Sequence, residues 1–198
     1  MFVTFEGLDG SGKSTQAKLL AEALAGEGRD VVATREPGGT ELGERVRELL
    51  LAEGEVTPWA EAALFAAARA QLLEEVIAPA LERGADVICD RYLDSSLAYQ
   101  GIARGLGLDR VLELNLQAVL GVLPDRTFLL LVDPAESARR VGSEGDRIER
   151  EDDDFRVRVA AAYRQLAEVF PERIQTIDGT RPPREIAEEV LAELRQRS

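Results

Sequence analysis

The segment Gly7-Leu-Asp-Gly-Ser-Gly12-Lys13-Ser14 constrains this chain more than any other. It fits G-x-x-x-x-G-K-[ST], follows the apolar run Phe2 to Glu6 and precedes a helical period, and that strand–loop–helix setting is what the pattern needs in order to work. Glycines at 7, 10 and 12 let the backbone curl until successive N–H groups point inward at a phosphate. The helix N-terminus adds its positive dipole end, Lys13 reaches the β- and γ-phosphates, Ser11 lies within the loop, and the Ser14 hydroxyl can ligate Mg²⁺. The bland reading is a glycine-rich turn that caps a helix.

Short apolar runs alternate with longer helical periods along the rest of the chain, the signature of an α/β parallel sheet. Strands are expected over Phe2 to Glu6, Asp30 to Thr34, Ala85 to Asp90, Arg126 to Val132 and Arg173 to Ile177, giving five parallel strands. Helices are expected over Lys13 to about Gly26, Thr40 to Ala52, Pro58 to Arg83, Asp109 to Leu120, Pro134 to Val141, Asp152 to Phe170 and Pro182 to Arg197. Thr57-Pro58 and Asp133-Pro134 each supply an N-cap followed by proline at the first helical position. Pro79 should kink or split the segment that contains it. Gly142-Ser-Glu-Gly-Asp146 breaks the pattern between two helices, and the flanking Arg139, Arg140, Arg147 and Arg150 suggest a mobile, basic flap over about 140–151.

Composition narrows the classes. A chain of 198 residues without repeat or linker reads as a single domain over 1–198 with a core of ordinary size. One cysteine, Cys89, cannot form an internal disulfide, and the absence of histidine excludes Cys/His zinc cages. No run approaches the ~18 to 20 apolar residues that span a bilayer, and the N-terminus has no basic leader, so a cytoplasmic protein without a membrane partner is expected. A net charge of -13 repels polyanions, which argues against a nucleic-acid partner and requires any phosphate ligand to be small and held by gathered arginines. Only Lys13 and Lys18 are lysines; the arginine excess reads as coding bias.

Further candidates gather at the carboxyl edge of the sheet, where open α/β sheets bind ligands. Asp90 ends an apolar strand and fits the acid that holds Mg²⁺ through water, or else caps a helix or pairs with Arg91. Arg91 can clamp a second phosphate with its fork, or form a surface ion pair. Arg35 precedes a Pro-Gly-Gly turn at the same edge. Phe65 and Arg69, four apart, offer a ring to stack on a base and a fork to read its oxygens, or are a core Phe and a solvated Arg. Ser95, Ser96, Tyr99 and Gln100 form a polar cluster able to hydrogen-bond a nucleoside, or merely cap the next helix. The GTPase signature Asn-Lys-x-Asp is absent, so the residues favour a small-molecule kinase.

These residues resemble the thymidylate kinases, P-loop enzymes of the nucleoside monophosphate kinase group. The resemblance is carried by Phe5-Glu-Gly-Leu-Asp9-Gly-Ser-Gly-Lys-Ser-Thr15, Thr34-Arg-Glu-Pro-Gly-Gly-Thr40, Leu64-Phe65-Ala-Ala-Ala-Arg69, Asp90-Arg-Tyr92 with Ser95-Ser-Leu-Ala-Tyr99-Gln-Gly101, and Asp146-Arg-Ile-Glu149, in that order. It implies a P-loop fold with a five-stranded parallel sheet flanked by helices on both faces, a homodimer, and transfer of the ATP γ-phosphate to dTMP with Mg²⁺, giving dTDP and ADP. It implies that Gly7, Asp9, Gly10, Ser11, Gly12, Lys13, Ser14 and Thr15 hold ATP, with Asp90 close to the metal and Arg140 nearer the adenine. By the same resemblance Arg35 and Arg91 bind the dTMP phosphate, Asp9 lies between that nucleotide and the metal, Phe65 stacks on thymine, Arg69 reaches its ring oxygen, Ser96 contacts the base edge, Gln100 matches a nearby polar position of the substrate site, and Tyr99 crowds the sugar so that a 2'-hydroxyl is disfavoured.

The loop Leu8-Asp9-Gly10-Ser11 has no arginine, so the resemblance assigns the catalytic arginine to the flap, Arg147 first. Lys13, Arg91, Arg147 and Asp9 form the expected catalytic set. The acceptor phosphate is already anionic near neutral pH, so the site must overcome repulsion and align two anions, while a closed flap excludes water. Rivals are a small-molecule kinase with another acceptor, and an ATP-dependent switch protein with slow hydrolysis.

Overall fold

The computed structural model describes residues 1–52, 54–142, 147–148 and 150–196. Five strands, β1 (Phe2–Gly7), β2 (Val31–Arg35), β3 (Asp86–Asp90), β4 (Arg126–Leu131) and β5 (Ile174–Asp178), form one parallel sheet in the order β2-β3-β1-β4-β5. Each lies within a residue or two of the bounds read from the sequence. Parallel pairing sets Phe5 beside Asp90 and Gly7 beside Leu130, so the loop after β1 and the acid ending β3 emerge at the same edge.

Period-two alternation sorts the strand side chains onto two faces. Phe2, Val87, Cys89 and Leu129 go to one core layer; Val3, Phe5, Ile88, Phe128 and Leu130 go to the other. The second layer is covered by α1 (Lys13–Gly26) and α9 (Pro183–Gln196), through Leu20, Leu24, Ile186, Val190 and Leu194. The first is covered by α8 (Asp153–Val169), through Phe155, Val159, Tyr163 and Leu166, by α6 (Leu108–Ala118) through Val111, and by the helical stretch that runs up to β3. That stretch and α2 (Glu41–Leu51) enclose a smaller cluster of Val46, Leu50 and Ala68 with Phe65 packed against it. Helices thus lie on both faces, as a parallel sheet requires.

Two helical segments depart from a 3.6-residue period. The expected Pro58 to Arg83 helix is α3 (Pro58–Leu72), a π turn at Leu73–Ile77 and α4 (Ala78–Glu82). The break expected at Pro79 takes the form of a widened turn: Ala78 N–H reaches back to Leu73 O, and the extra residue relieves the clash and missing donor that proline brings. The second was not expected at all. The polar cluster after Arg91 is itself helical, α5 (Leu93–Ser96) followed by a π turn at Leu97–Ala103, so Ser95, Ser96, Tyr99 and Gln100 do not merely precede a helix. α7 (Pro134–Val141) starts as expected, with Asp133 accepting from Ala135 N at 2.9 Å. Of the expected flap, Glu144, Asp146 and Glu149 lie outside the described residues, as does Arg197 at the expected end of the last helix.

Candidate active site

The loop after β1 is shaped by its glycines. Gly7 has φ +138°, and a Cβ there would stand 2.5 Å from Leu130 O; Gly12, at φ +99°, turns the chain into α1. Ser11 N donates to Leu8 O at 3.1 Å, closing the turn. Lys13 is almost wholly buried, and its Nζ donates to Leu8 O at 2.8 Å with Asp9 at 3.8 Å. Burial and the neighbouring Arg91 depress the Lys13 ammonium to about 8, against the pull of Asp9, Asp90 and Glu6. Such a lysine lacks a counter-charge of the size a phosphate supplies.

Asp90 ends β3 facing Ser14, whose Oγ donates to Asp90 Oδ2 at 2.5 Å. Asp90 Oδ1 is buried with no partner among the described residues. A hydroxyl, a carboxylate with a spare buried oxygen and a phosphate cradle fit a divalent cation bound largely by phosphate and water, the manner in which Mg²⁺ is usually held. No group of three or more His, Cys, Asp or Glu is arranged as an all-protein cage among the described residues.

Arg91 is the hub. Its backbone has φ +69°, a strained value for a residue with a Cβ, and this turn aims the guanidinium back under the loop. Nη1 donates to Gly7 O at 3.1 Å, Ser95 Oγ at 3.0 Å and Tyr163 Oη at 3.1 Å, Nη2 donates to Asp9, and the guanidinium lies 5.5 Å from the Tyr99 ring centroid. Burial opposes ionisation of Asp9, but Arg91 and Lys13 outweigh it and hold the carboxyl well below the usual range. Tyr99 Oη also donates to Asp9, at 3.2 Å.

Two cavities meet here. One, open and polar, is lined by the loop residues Asp9, Gly10, Gly12, Lys13, Ser14 and Thr15 with Arg35, Asp90 and Arg140. The other, more apolar, is lined by Phe65, Ser95, Ser96, Tyr99, Gln100, Pro37, Leu51 and Ile148. Asp9, Glu36, Arg47 and Arg91 line both. The structure thereby brings together Asp9, Gly10, Gly12, Lys13, Ser14, Thr15, Asp90, Arg35 and Arg91 at the first cavity, and Phe65, Ser96, Tyr99 and Gln100 at the second; of the expected loop residues, Gly7 and Ser11 do not line it.

Two expected arginines sit elsewhere. Arg69 is not solvated: it is fully buried behind the second cavity, donating to Glu36 at 2.8 Å, Ser96 Oγ at 3.1 Å, Tyr92 O at 3.2 Å and Asn115 Oδ1. Arg147 is not at the phosphate loop. It donates to Leu50 O at 2.9 Å and to Glu61 at 2.7 Å, because a buried carboxylate on α3 captures it. Arg140 takes the position by the loop instead, with Nη1 donating to Gly10 O at 3.1 Å, and Ser137 Oγ donates to Asp9 O at 2.7 Å. Arg139 is held on the exposed side of α7 by Glu136.

Sequence reasoning passed over Glu6, Glu36, Arg47 and Glu61. Glu6 is buried in β1 and accepts from Tyr92 N at 2.8 Å, Ser95 Oγ at 2.6 Å and Tyr163 Oη at 2.9 Å, which fixes the turn that carries Arg91; burial and Asp94 push its carboxyl upward. A glutamate inside an apolar strand was the available signal, since such a group is buried only with partners. Glu36, after β2, has one oxygen on Arg69 and one buried without a partner among the described residues, and burial pushes it up to about 7. Arg47 donates to Pro37 O at 3.2 Å from α2.

A family model described as Thymidylate kinase matches residues 5–190. The chain belongs to the thymidylate kinase family. It is 50% identical over 195 residues to a thymidylate kinase of Pelotomaculum thermopropionicum, an alignment covering 96% of this chain and 90% of that one. It is 51% identical over 198 residues to a thymidylate kinase of Leifsonia xyli, covering 98% and 94%. The crystal structure of a thymidylate kinase from Ehrlichia chaffeensis superposes with a TM-score of 0.81 at 37% identity, over 98% of each chain. The thymidylate kinase family thus accounts for the fold from its first strand to its last helix, as the five sequence motifs implied.

Proposed function

We infer that this chain transfers the γ-phosphate of ATP to dTMP, giving dTDP and ADP. The observation that carries the reading is the junction of a phosphate-loop cavity with an apolar, ring-lined cavity through Asp9, Glu36, Arg47 and Arg91. Such a junction suits two anions that must approach in line, and charge at the meeting point is what their repulsion demands.

Lys13 and the loop N–H groups would hold the β- and γ-phosphates, and Ser14 with Asp90, through water, would hold Mg²⁺. The metal would supply charge neutralisation on the transferring phosphoryl group. Arg35, Arg47 and Arg91 would receive the acceptor phosphate, Arg35 exchanging its Glu44 partner, now 3.0 Å away, for it. Phe65 would stack on the base, Ser96 and Gln100 would meet its edge, and Arg69 would brace Ser96 from behind. Tyr99, fixed by its bond to Asp9, would crowd the sugar. Arg140, already beside the phosphate loop, suits the catalytic flap role better than Arg147 does. No general base is needed, because the acceptor oxygen is already anionic.

Leu42 and Leu49 lie seven apart on α2 and are 43% and 63% exposed, which supports a homodimer through that helix. No helix among the described residues is long and apolar enough to cross a membrane, and an unpaired, buried Cys89 accords with the cytoplasm as the working compartment. The test is ADP release from Mg-ATP with dTMP, dUMP, dCMP, AMP or no acceptor. Fast release with dTMP and weaker release with dUMP is expected; release with AMP would discard the acceptor assignment, and release independent of acceptor would favour a switch protein.

A further inference from the structure

Glu61, on α3, is fully buried and accepts four hydrogen bonds. They come from Gln100 Nε2 at 2.8 Å, Arg104 Nε at 2.6 Å and Nη2 at 3.0 Å, and Arg147 Nη2 at 2.7 Å. Burial alone would raise its pKa, but the bonds from Arg104, Arg147 and Gln100 outweigh it and keep the carboxyl below its ordinary range. Ionised, Glu61 can only accept.

That has a consequence for Gln100, whose side chain lines the acceptor cavity. An amide can present either end to a ligand, and its surroundings decide which. With Nε2 held by Glu61, the flipped amide would set oxygen against carboxylate in a dry site, where an unpaired polar contact is most costly. The amide nitrogen has two hydrogens; one serves Glu61, and the other lies beside Oε1. Oε1 itself accepts no hydrogen bond from the described residues. The cavity therefore meets an acceptor oxygen with a donor N–H beside it. A pyrimidine carrying a ring N–H next to a carbonyl complements that pair. Cytosine, with an acceptor ring nitrogen next to an amino group, opposes it donor to donor and acceptor to acceptor.

We propose that Glu61 is a positioning residue for base selection: it locks the Gln100 amide in the orientation that admits a thymine-like base and rejects cytosine. Arg104 and Arg147 serve it by keeping it ionised, and Arg104 is itself braced by Glu151 at 2.8 Å. The proposal rests on the acceptor assignment of the preceding section.

The test compares kcat/KM for dTMP and dCMP in the wild-type chain, Glu61→Gln and Glu61→Asp. A glutamine at 61 can donate or accept, so Gln100 is free to flip, and the dTMP-to-dCMP ratio is expected to fall by about tenfold or more, since hydrogen-bond mismatch is what such sites discriminate by. Glu61→Asp still only accepts and is expected to keep the ratio even as both rates drop. An equal loss with both nucleotides in Glu61→Gln would overturn the proposal and leave Glu61 a purely structural residue. Should Glu61→Gln not fold, neutron diffraction from the wild-type chain with dTMP decides: Nε2 toward Glu61 and Oε1 toward the base is expected, and the reverse overturns it. A wild-type chain that does not prefer dTMP to dCMP places the failure in the acceptor assignment, and the proposal falls with it.

Discussion

Lys13 and Arg91 show how one small site treats two cations differently. Arg91 has Asp9, two hydroxyls and a carbonyl as partners and is pushed well above its ordinary pKa, even though burial works the other way. Lys13, more deeply buried and beside that arginine, is pushed down to about 8. ATP phosphates would restore its full charge, so binding above that pH must draw in a proton. The sign follows directly: affinity for ATP should fall as pH rises through about 8, and proton uptake on binding should grow toward one between about pH 7 and about pH 9. Calorimetry of ATP binding in two buffers of different ionisation enthalpy measures this, and uptake that stays flat across the range would show that Lys13 keeps its proton without nucleotide. A second prediction concerns the arginine. Arg91→Lys keeps the charge but cannot reach Gly7, Ser95, Tyr163 and Asp9 together, and should lower kcat/KM for dTMP by about a hundredfold or more with little change in ATP affinity; steady-state kinetics with each substrate varied would show a uniform loss if the residue were only structural.

At the level of elements, the flap divides its arginines between two tasks. Arg140 lies at the end of α7 against the phosphate loop, whereas Arg147 is drawn to Glu61 and to Leu50 O. Arg140→Ala is expected to lower kcat most, and Arg147→Ala chiefly to raise KM for dTMP; the opposite split in steady-state rates would return Arg147 to the catalytic role that the motif suggests. The Glu61 partner of Arg147 could not be read from the motif, because only the fold brings the two together. The strands were legible because short apolar runs bounded by turns and separated by helical periods have few other uses, and the phosphate loop because its glycines need positive φ at Gly7, Gly10 and Gly12. The helix from Leu93 to the π turn was not legible: Leu93, Asp94, Ser96, Leu97, Ala98, Tyr99, Gln100 and Gly101 are all buried, so no polar face marks a period, and the widened turn shifts the spacing. The burial of Arg69 was not legible either, for a related reason. Its partners Glu36, Tyr92 with Ser96, and Asn115 come from three separate stretches, and only the fold assembles them.

The whole molecule carries a net charge of -13, yet gathers Lys13, Arg35, Arg47, Arg91 and Arg140 at one sheet edge. Outside this edge the exposed face of α2 stands out, because Leu42 and Leu49 leave apolar surface in water on a helix whose other side builds the acceptor wall with Arg47. A second copy of the chain packed on that face would bury both leucines and stiffen α2 against α3, which carries Phe65 and Glu61. Leu49→Glu tests this at little cost to the protomer, because the side chain is already 63% exposed and surface changes of that kind usually shift stability by less than about 0.5 kcal/mol. Sedimentation velocity should show a dimer for the wild-type chain and a monomer for Leu49→Glu, with unfolding temperatures close to one another at concentrations where the wild type is dissociated. Bracing of the acceptor wall then predicts a raised KM for dTMP in the monomer with ATP affinity largely retained, since α1, which follows the phosphate loop, packs mainly on β1, β2, β3 and α9. A wild-type chain that sediments as a monomer at micromolar concentration would remove the dimer from the proposal, and with it the coupling between assembly and acceptor binding.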